Sequence, residues 1–408
     1  MLDSPDLVTS QELAALHTTV AAAEPAFLDE LAALVAIDSG SWTPAGVNRV
    51  ADFVEARLRA LGATVERHAD PDGLLGDTVE GVFEGTPPRA AGSGRLLLIG
   101  HTDTVFDPRT AAARPFRIED GRAFGPGVSD MKGGLLALLH AVQAVLRTVS
   151  PAPFGRLVVI ANPDEEIGSP ASTPHIRRVA AESDAVFVLE CGRENGDIVS
   201  ARKGSTEYVL TVHGRAAHAG VEPEKGRSAI LAAAGLVAAI HGLNGRLPGV
   251  TANVGVIAGG MRSNVVAGQA ALDLDVRAVD AASQDAVDLA LRALAASPSV
   301  PDVHVDVEVR GRHRPMEKLA GTARLVSHAT GLASRLGFAV ADASTGGASD
   351  ANTTAGMGIP TLDGLGPVGG LDHSPDEYLE VASIVPRTTL VAALIVAAGR
   401  DTELRHLR

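Results

Sequence analysis

Three short apolar runs stand out in the first half of the chain, at residues 96–99, 157–160 and 185–189. Runs without polar alternation are typical of strands that are buried on both faces, as in parallel sheets covered by helices. Residues 135–146, between the first two runs, have the apolar spacing of a helix. Residues 11–61 predict two more helices, separated by Ser, Gly and Pro near 37–46. We therefore expect an α/β domain with a largely parallel sheet between helices.

The pattern changes after residue 204, because three later segments alternate apolar with polar residues: 208–213, 271–277 and 304–310. Alternation predicts strands with one face in solvent. A further strand at 253–257 and two helical stretches complete the order strand, helix, strand, strand, helix, strand, with the helices at 227–241 and 281–295. This order is typical of a ferredoxin-like α+β domain.

Helical spacing at 319–336, followed by mixed strand and Gly-rich loop, indicates a return to the first domain. The predicted organisation is therefore a domain made of residues 1–204 and 315–408, with residues 205–314 inserted into it. No internal repeat and no low-complexity tract interrupts this plan.

Composition narrows the possible functions. The 408 residues carry 35 Lys plus Arg against 49 Asp plus Glu, a formal net charge of -14. This charge disfavours nucleic acid and anionic membranes as partners. A single cysteine, Cys191, excludes an intrachain disulfide and favours a reducing compartment. With no basic, apolar leader at the start and no uncharged apolar stretch of about 18 residues, we expect a soluble, cytoplasmic protein without membrane contact.

Polar residues with metal-binding chemistry follow the predicted buried strands. His101 and Asp103 come directly after the first, where ligands bind in open α/β sheets, and the alternative is an incidental surface loop. Asp130 lies in a Gly-rich turn before the predicted helix at 135–146, and a helix cap is an equally good interpretation in isolation. A phosphate loop would need a different Gly and Lys spacing.

Further acids follow the other two strands. Glu165 and Glu166 come after the second, and Glu190 comes directly after the third, while His373 lies in a C-terminal loop. A solvated charge run is the alternative for the acids, but clustered carboxylates repel one another unless a cation neutralises them.

Together these residues predict a metal centre at one edge of the sheet. Two neutral imidazoles and three carboxylates carry three negative charges, which two divalent ions nearly balance; the five are His101, Asp130, Glu166, Glu190 and His373. Imidazole and carboxylate ligands suit zinc, with cobalt or manganese as substitutes. Two ions that share a carboxylate would hold a water and polarise a carbonyl. Glu165, beside a ligand, is then the predicted general base.

These residues resemble the M20 metallopeptidase family, and within it the glutamate carboxypeptidase group. The resemblance spans nearly the whole chain through motifs in the family's order: His101-Thr-Asp-Thr, Ser129-Asp130-Met-Lys-Gly-Gly, Asp164-Glu165-Glu166-Ile-Gly-Ser, Glu190, Arg215-Ala-Ala-His218-Ala-Gly, Asn264, Arg277 and His373-Ser. It implies a zinc-exopeptidase sheet with an inserted lid and dimerisation domain.

The resemblance also implies a role for each residue of the centre. Asp130 would bridge two Zn²⁺ ions, with His101 and Glu190 on one and Glu166 and His373 on the other. Asp103 would orient His101. Glu165 would deprotonate the bridging water.

In the inserted domain, His218 resembles the residue that stabilises the tetrahedral oxyanion, from its own or a neighbouring chain. Asn264 and Arg277 resemble the residues that bind the free α-carboxylate of the substrate, for which the planar guanidinium is suited. Arg314 and Gly347 resemble a second basic residue and a glycine-rich wall near the scissile group. The alternatives are an exposed strand-to-helix loop for His218 and a cross-strand ion pair with an acid such as Asp275 for Arg277.

The implied function is cleavage of the amide bond before a C-terminal amino acid, glutamate first, in N-acyl, folate-like or short peptide substrates. One stretch departs from the glutamate-specific pattern, since residues 194–197 read Glu-Asn-Gly-Asp where those members place a lysine. Arg202 and Lys203 follow. The alternative is an N-acyl-amino-acid deacylase or dipeptidase with the same ligands, and a non-catalytic metal- or peptide-binding protein would lack a ligand or the base. A homodimer through the inserted domain is also implied.

Overall fold

A computed structural model of the protein describes residues 7–85 and 93–407. The chain divides into two compact units, of which the first comprises Met1–Ser200, Lys318–Ser344 and Ser349–Arg408. The second comprises Ala201–Glu317 and Thr345–Ala348. The predicted organisation left Thr345–Ala348, which includes Gly347, with the first domain, whereas this short segment makes its contacts within the second unit.

The described residues form ten α-helices. In chain order these are α1 Ser10–Val35, α2 Pro44–Ala60, α3 Thr110–Ala113, α4 Gly134–Thr148, α5 Thr173–Ala180, α6 Ala229–His241, α7 Ala281–Ala296, α8 Ala320–Arg335, α9 Asp350–Ala355 and α10 Ile384–Arg400. Helices α1, α2, α4, α6, α7 and α8 coincide with the predicted ones, whereas the long helix α10 was not predicted. Their ends follow ordinary capping chemistry: Thr9 accepts a hydrogen bond from Glu12 N–H at the start of α1, and the Glu12 carboxylate accepts one from Thr9 N–H.

The strands of the first unit have at most 7 residues, whereas the four strands of the second unit's main sheet have 9 or 10. They are β1 Thr64–His68, β2 Thr78–Glu84, β3 Arg95–His101, β4 Arg117–Glu119, β5 Arg122–Phe124, β6 Arg156–Asn162, β7 Ala185–Val188, β8 Ile198–Arg202, β9 Gly204–His213, β10 Ala217–His218, β11 Thr251–Gly259, β12 Val265–Val266, β13 Gln269–Ala278, β14 His304–His313, β15 Asp342–Thr345, β16 Thr361–Leu362, β17 Gly369–Gly370 and β18 Tyr378–Glu380. The three apolar runs are β3, β6 and β7.

The main sheet of the first unit has the order β1-β2-β6-β3-β7-β16. Strands β6, β3, β7 and β16 pair in parallel, and β2 runs antiparallel to both of its neighbours. Residues on both faces of the central strands are fully buried, for example Leu96 and Leu97 of β3. The prediction of a mixed, largely parallel sheet between helices is therefore confirmed. Strands β1 and β2, which no continuous apolar run marks, were not predicted.

Helix α10 packs against α1, α4 and α8 in the core of the first unit. Together with the residues just before it, the stretch Val381–Arg400 is long and apolar enough to cross a membrane, with a mean hydropathy of 1.9. However, 72% of its most apolar window is buried inside the protein, and Arg387 within it donates hydrogen bonds to the carbonyl groups of Gly366 and Gly196. These features identify it as a core helix of the first unit.

Removing a side chain from this helix tests how much the core stabilises the first unit. Leu394 of α10 is fully buried, so we expect Leu394→Ala to lower the free energy of unfolding by about 2–5 kcal/mol through lost burial and the cavity left behind. Leu74 is 61% exposed, and the same substitution there should change stability by less than about 0.5 kcal/mol. Urea unfolding followed by circular dichroism measures both, and equal effects of the two substitutions would contradict this assignment.

The sheet of the second unit has the order β11-β13-β9-β14, and all its pairs are antiparallel. One face packs on α6 and α7 through alternate residues such as Leu272, Leu274 and Val276. The opposite side of the alternation faces outward, as the polar positions of β13 require. The predicted ferredoxin-like α+β fold is confirmed, while its role as a lid or dimerisation domain stays a prediction.

Candidate active site

Three strand ends of the main sheet bring charged side chains to one edge. His101 is the last residue of β3, and its register partner on β6 is Asn162, after which Glu165 and Glu166 follow. Glu190 comes two residues after the end of β7. Because β6, β3 and β7 are parallel neighbours, their carboxyl ends meet.

Asp130 reaches the same place from a turn between β5 and α4. The buried Glu377 carboxylate accepts hydrogen bonds from the N–H groups of Gly127, Ser129 and Asp130, at 2.9, 2.8 and 3.0 Å. Burial raises the pKa of Glu377 to about 7, although these hydrogen bonds oppose that shift. The N-cap of α4 is Gly133, so the interpretation of Asp130 as a simple helix cap is wrong.

The two carboxylate oxygens of Asp130 contact different histidines. Oδ1 lies 3.1 Å from His101 Nε2, and Oδ2 lies 3.0 Å from His373 Nε2. The same His373 nitrogen is 3.1 Å from Glu166 Oε2, and that of His101 is 3.8 Å from Glu190 Oε1. The five residues predicted as metal ligands are thus brought together, with Asp130 between the two histidines.

Potential ligand atoms of two residue trios lie within 4.8 Å of one another in this cluster. One trio is His101, Asp130 and Glu166, and the other is His101, Glu165 and Glu190. In the second trio Glu165, the predicted base, lies as close to the other potential ligand atoms as the predicted ligands His101 and Glu190 do. The assignment of ligand and base to individual residues therefore stays a prediction.

Asp103 is buried next to the cluster and makes hydrogen bonds with several segments that form it. Its carboxylate accepts hydrogen bonds from the Ser41 hydroxyl at 2.7 Å and from the backbone N–H groups of Glu165 and Glu166 at 3.2 Å each. His101 Nδ1 lies 3.0 Å from the Asp103 carbonyl oxygen and 3.3 Å from its Oδ1. Asp103 therefore touches both His101 and the loop of the adjacent acids.

Burial dominates the electrostatics of this cluster. It raises the pKa of Glu165 and of Glu190 well above the usual value, and nearby carboxylates, Asp130 among them, add to the shift in both. Burial also raises the pKa of Glu166, against the hydrogen bond to His373. Hydrogen bonds to Asp130 and Glu166 raise the pKa of His373 to about 11.

The pKa values of His101 and Asp130 are shifted in opposite directions. Burial alone would lower the pKa of His101, but its contacts with Asp103 and Asp130 raise it well above the usual value. The pKa of Asp130 is lowered because both imidazoles outweigh the effect of its burial. The carboxylates thus depend on positive charge to ionise, and Glu166 Oε1 is buried without a hydrogen-bond partner among the residues that the structure describes. An imidazole and carboxylate set with an unsatisfied buried oxygen suits divalent cations.

The predicted site residues of the second unit form two groups. His218 is exposed on β10, opposite Val265 of β12, and its Nδ1 accepts a hydrogen bond from Gly220 N–H at 3.1 Å. The carbonyl of Asn264 accepts a hydrogen bond from Ala219 N–H at 3.0 Å. His218 and Asn264 are therefore neighbours.

The other group lies at one end of the second unit's sheet. Arg277 of β13 and His313 of β14 both pair in register with Ser205 of β9. Arg314 follows directly and donates hydrogen bonds to Gln284 and Asp285. Arg277 binds Asp275 through Nε and Nη2, at 2.8 Å each. The partner considered from the sequence is therefore present, but the ion pair lies within β13 and is not the cross-strand pair expected.

Gly347 is placed by a different basic residue. Its carbonyl oxygen accepts a hydrogen bond from Arg202 Nη1 at 3.0 Å. Arg202 also pairs through its backbone with Met316, two residues after Arg314. Arg202 is thus connected to both the glycine-rich segment and the chain near Arg314.

Two supporting residues were missed by the sequence interpretation. Glu377 has a recognisable feature, since it is an acid four residues after His373 in the same loop. Ser41, in the segment between α1 and α2, has none, because its contact with Asp103 spans 62 residues.

Comparison with known proteins finds a match to the family Peptidase_M20, described as Peptidase family M20/M25/M40, over residues 97–397. Carboxypeptidase G2 from Pseudomonas sp. (strain RS-16) is 31% identical over 379 residues, which are 92% of this chain and 90% of that protein. Acetylornithine deacetylase from Myxococcus xanthus is 31% identical over 259 residues, covering 60% and 64%. Among solved structures, aminopeptidase PepT from Bacillus cereus has a TM-score of 0.73 at 24% identity, covering 92% of this chain and 98% of that one.

Proposed function

The chain belongs to peptidase family M20/M25/M40 and is a metallohydrolase of that family, and we propose that it is a dizinc carboxypeptidase that removes a C-terminal glutamate from N-acyl, folate-like or short peptide substrates. The position of Asp130 between His101 and His373 carries the two-metal part of this proposal. Each oxygen of one carboxylate faces a different imidazole, as a bridging ligand requires. Glu190 and Glu166 would complete the two ligand sets, and Co²⁺ or Mn²⁺ are possible substitutes.

The residues around this centre would divide the work of hydrolysis. When bound, two divalent ions would lower the pKa of a water and polarise the scissile carbonyl. Glu165 would take the proton of the attacking water and deliver it to the leaving amine. Asp103 would keep His101 and the Glu165 backbone in place. His218 would donate to the oxyanion, from its own or a neighbouring chain.

Recognition of the leaving amino acid would fall to the second unit. Arg277 uses its Nε and Nη2 edge for Asp275, while in the described part of the chain its Nη1 donates to no protein atom. The remaining Nη1 and Nη2 edge has the geometry to bind a carboxylate with two hydrogen bonds. Asn264, Arg314 and Gly347 would complete the substrate contacts, and Arg202 is the basic residue placed beside Gly347.

A deacylase or dipeptidase is the second candidate, favoured by the similarity to a deacetylase and by residues 194–197, which lack the lysine of the glutamate-specific pattern. The experiment is amino-acid release by zinc-loaded protein from glutamate conjugates of folate and peptide type, N-acetyl amino acids and dipeptides. Selective release of glutamate supports the carboxypeptidase. Release from N-acetyl amino acids or dipeptides alone supports the second candidate. Silence with two zinc ions bound would mean that the acyl specificity lies outside these substrates or that the chain only binds.

Replacing Arg277 tests carboxylate recognition. We expect Arg277→Met to lower kcat/KM roughly 10- to 150-fold for substrates with a free C-terminal carboxylate, because a charge-assisted hydrogen bond contributes about 1.5–3 kcal/mol. The activity on the matching C-terminal amides, which lack that charge, should change little. The control is Arg310→Met, an exposed arginine on β14. If both kinds of substrate lose activity equally, Arg277 supports the sheet through Asp275 and does not bind substrate.

We further propose a homodimer that forms through the second unit, in the cytoplasm, as its single cysteine favours. Strand β11 is an edge of the four-stranded sheet, and its Val256 and Ile257 are 54% and 53% exposed. An exposed apolar edge strand is a ready site for pairing with another copy.

A charge on this edge should separate the protomers. We expect Ile257→Lys to convert a dimer into a monomer, measured by light scattering after size exclusion, because a lysine opposes edge-to-edge pairing. Val309→Lys on β14, the other edge strand, is the control and should leave the dimer intact. A wild-type monomer would contradict the proposal. Loss of activity in the monomeric variant would assign His218 to the neighbouring chain's site.

A further inference from the structure

A second group of possible metal ligands lies in the first unit, apart from the residues described above. It consists of His68 at the end of β1, Glu80 on β2 and His175 on α5, and we call it the outer histidine cluster. The antiparallel pairing of β1 with β2 places His68 opposite Thr78, two residues before Glu80. His68 and Glu80 are therefore near neighbours on the same hairpin.

Alternation along β2 explains why a charged residue is buried here. A Cβ atom added to Gly81 would meet the Leu58 side chain of α2 at 2.8 Å, so position 81 faces α2. Glu80 therefore points to the opposite face of the sheet, where His175 of α5 meets it. The Glu80 side chain is only 6% exposed, and that of His175 is 14% exposed. A carboxylate and an imidazole thus meet in a nearly buried position.

The distances within the cluster are close to those of a ligand set. Glu80 Oε2 lies 2.8 Å from His175 Nε2 and 3.6 Å from His68 Nε2. One potential ligand atom from each of the three residues lies within 4.8 Å of the other two. Ligand atoms around a tetrahedral Zn²⁺ ion are roughly 3.3 Å apart, as Zn–N and Zn–O bonds of about 2.0–2.1 Å require. The imidazole rings lie side by side, with centroids 4.2 Å apart.

Both imidazoles have an unsatisfied nitrogen. The Nε2 atoms of His68 and His175 are buried, and neither makes a hydrogen bond within the described ranges, since the approach of His175 to Glu80 lacks hydrogen-bond geometry.

We propose that the outer histidine cluster binds one divalent transition-metal ion, Zn²⁺ first, through His68 Nε2, Glu80 Oε2 and His175 Nε2. Two imidazoles and a carboxylate form a common three-residue ligand set for this ion, which leaves a fourth position open. The carboxylate of Glu66 lies 3.9 Å from His68 Nε2 and is the protein group that could act as the fourth ligand. This site is separate from the proposed catalytic centre, because its residues come from β1, β2 and α5.

Arg178 competes with the ion for the same ligands. Its Nη2 lies 2.8 Å from Glu80 Oε2 and 3.2 Å from His175 Nδ1. A guanidinium beside Nδ1 requires that nitrogen to be an acceptor, which leaves the proton on Nε2, where the ion would bind. Its side chain is 57% exposed and free to swing into solvent. Metal binding therefore requires Arg178 to withdraw, and its removal should strengthen binding.

The bound ion would join the β1–β2 hairpin to α5. Helix α5 begins seven residues after Glu166, so the site would fix the far side of the loop that carries Glu165 and Glu166. The ion would act as a structural clamp, because it binds the folded arrangement and not the separated elements.

The test is Zn²⁺ titration of the full-length, metal-free protein, with bound metal counted by mass spectrometry after gel filtration. We expect His175→Ala to bind one ion fewer per chain than the wild type, while the exposed His17→Ala on α1 binds the wild-type number. Arg178→Met should bind the additional ion at least about threefold more tightly, since a repelling charge is removed. Equal stoichiometry for wild type and His175→Ala would overturn the proposal.

Spectroscopy makes the test independent of the other centre. Co²⁺ added as the last equivalent should give a visible d–d spectrum of a four-coordinate site in the wild type, and this spectrum should be missing in His175→Ala and in Glu80→Gln. Thermal unfolding identifies a variant that fails to fold, and His68→Asn then replaces it. Unchanged Co²⁺ spectra in folded variants, or no effect of Arg178→Met, would show that the cluster is only an ion-pair network.

Discussion

Glu165→Gln should lower kcat by roughly 10²- to 10⁴-fold while both metal ions stay bound, because a positioned general base contributes about this much. Glutamine keeps the size of the side chain and the backbone N–H that donates to Asp103. It cannot accept a proton from water at neutral pH. Steady-state kinetics together with metal analysis of the purified variant measure the two effects separately.

The metal count decides between two roles for this residue. Potential ligand atoms of Glu165 lie within 4.8 Å of those of His101 and Glu190, so the geometry alone also permits a ligand. A variant that loses one ion together with activity would assign Glu165 to the ligand set. Unchanged turnover would exclude it as the base. Glu182→Gln, at an exposed acid of the same unit, controls for the loss of one negative charge.

The central strands could be predicted from the sequence because burial on both faces leaves an unbroken apolar run, as in β3, β6 and β7. The same logic fails for β1, whose sequence Thr-Val-Glu-Arg-His has only one apolar residue. Its place in the sheet depends on pairing with β2 and on ion pairs such as Arg67 with Asp77, at 2.7 Å. Such partners are distant in sequence or have no local pattern, so tertiary contacts decide the structure there.

The candidate site shows the same division. His101, Glu166 and Glu190 could be located because each follows a recognisable strand, and parallel pairing then brings them to one edge. The contacts that hold these residues could not be predicted from the sequence. Ser41 contacts Asp103 across 62 residues, and Glu377 contacts the Asp130 turn across about 250 residues. The pairing of Arg277 with Asp275 could be foreseen only as an alternative, because strand geometry does not determine which partner a long guanidinium chooses.

Burial of the carboxylates destabilises the metal-free cluster and also favours the binding of a cation. Glu165, Glu166 and Glu190 are largely enclosed, and burial is the main reason that each has a raised pKa. Enclosed carboxylates with so few cationic partners destabilise a protein unless a cation is bound. The candidate centre therefore suits added positive charge that the chain itself does not supply. We expect Asp130 to be the residue that two ions share.

Asp130→Asn should abolish activity to below about 1% of the wild type and lower the bound metal from two ions to at most one. The substitution removes the charge that faces both imidazoles, and it replaces one acceptor oxygen by an N–H₂ group that repels a cation. Loss of a partner that only orients a ligand weakens metal binding roughly 10- to 100-fold, and loss of a shared ligand should exceed that. Equilibrium dialysis against Zn²⁺ at several concentrations measures the effect.

The control for this substitution is Asp376→Asn, at an exposed acid three residues after His373. It removes one negative charge from the same loop without touching Asp130, so metal content and activity should both stay at wild-type levels. If Asp130→Asn still binds two ions with unchanged affinity, the carboxylate is no bridge, and its contacts with His101 and His373 are ion pairs of the metal-free protein. Loss of a single ion with the second held at wild-type affinity would instead assign Asp130 to one position only, as in the trio with His101 and Glu166.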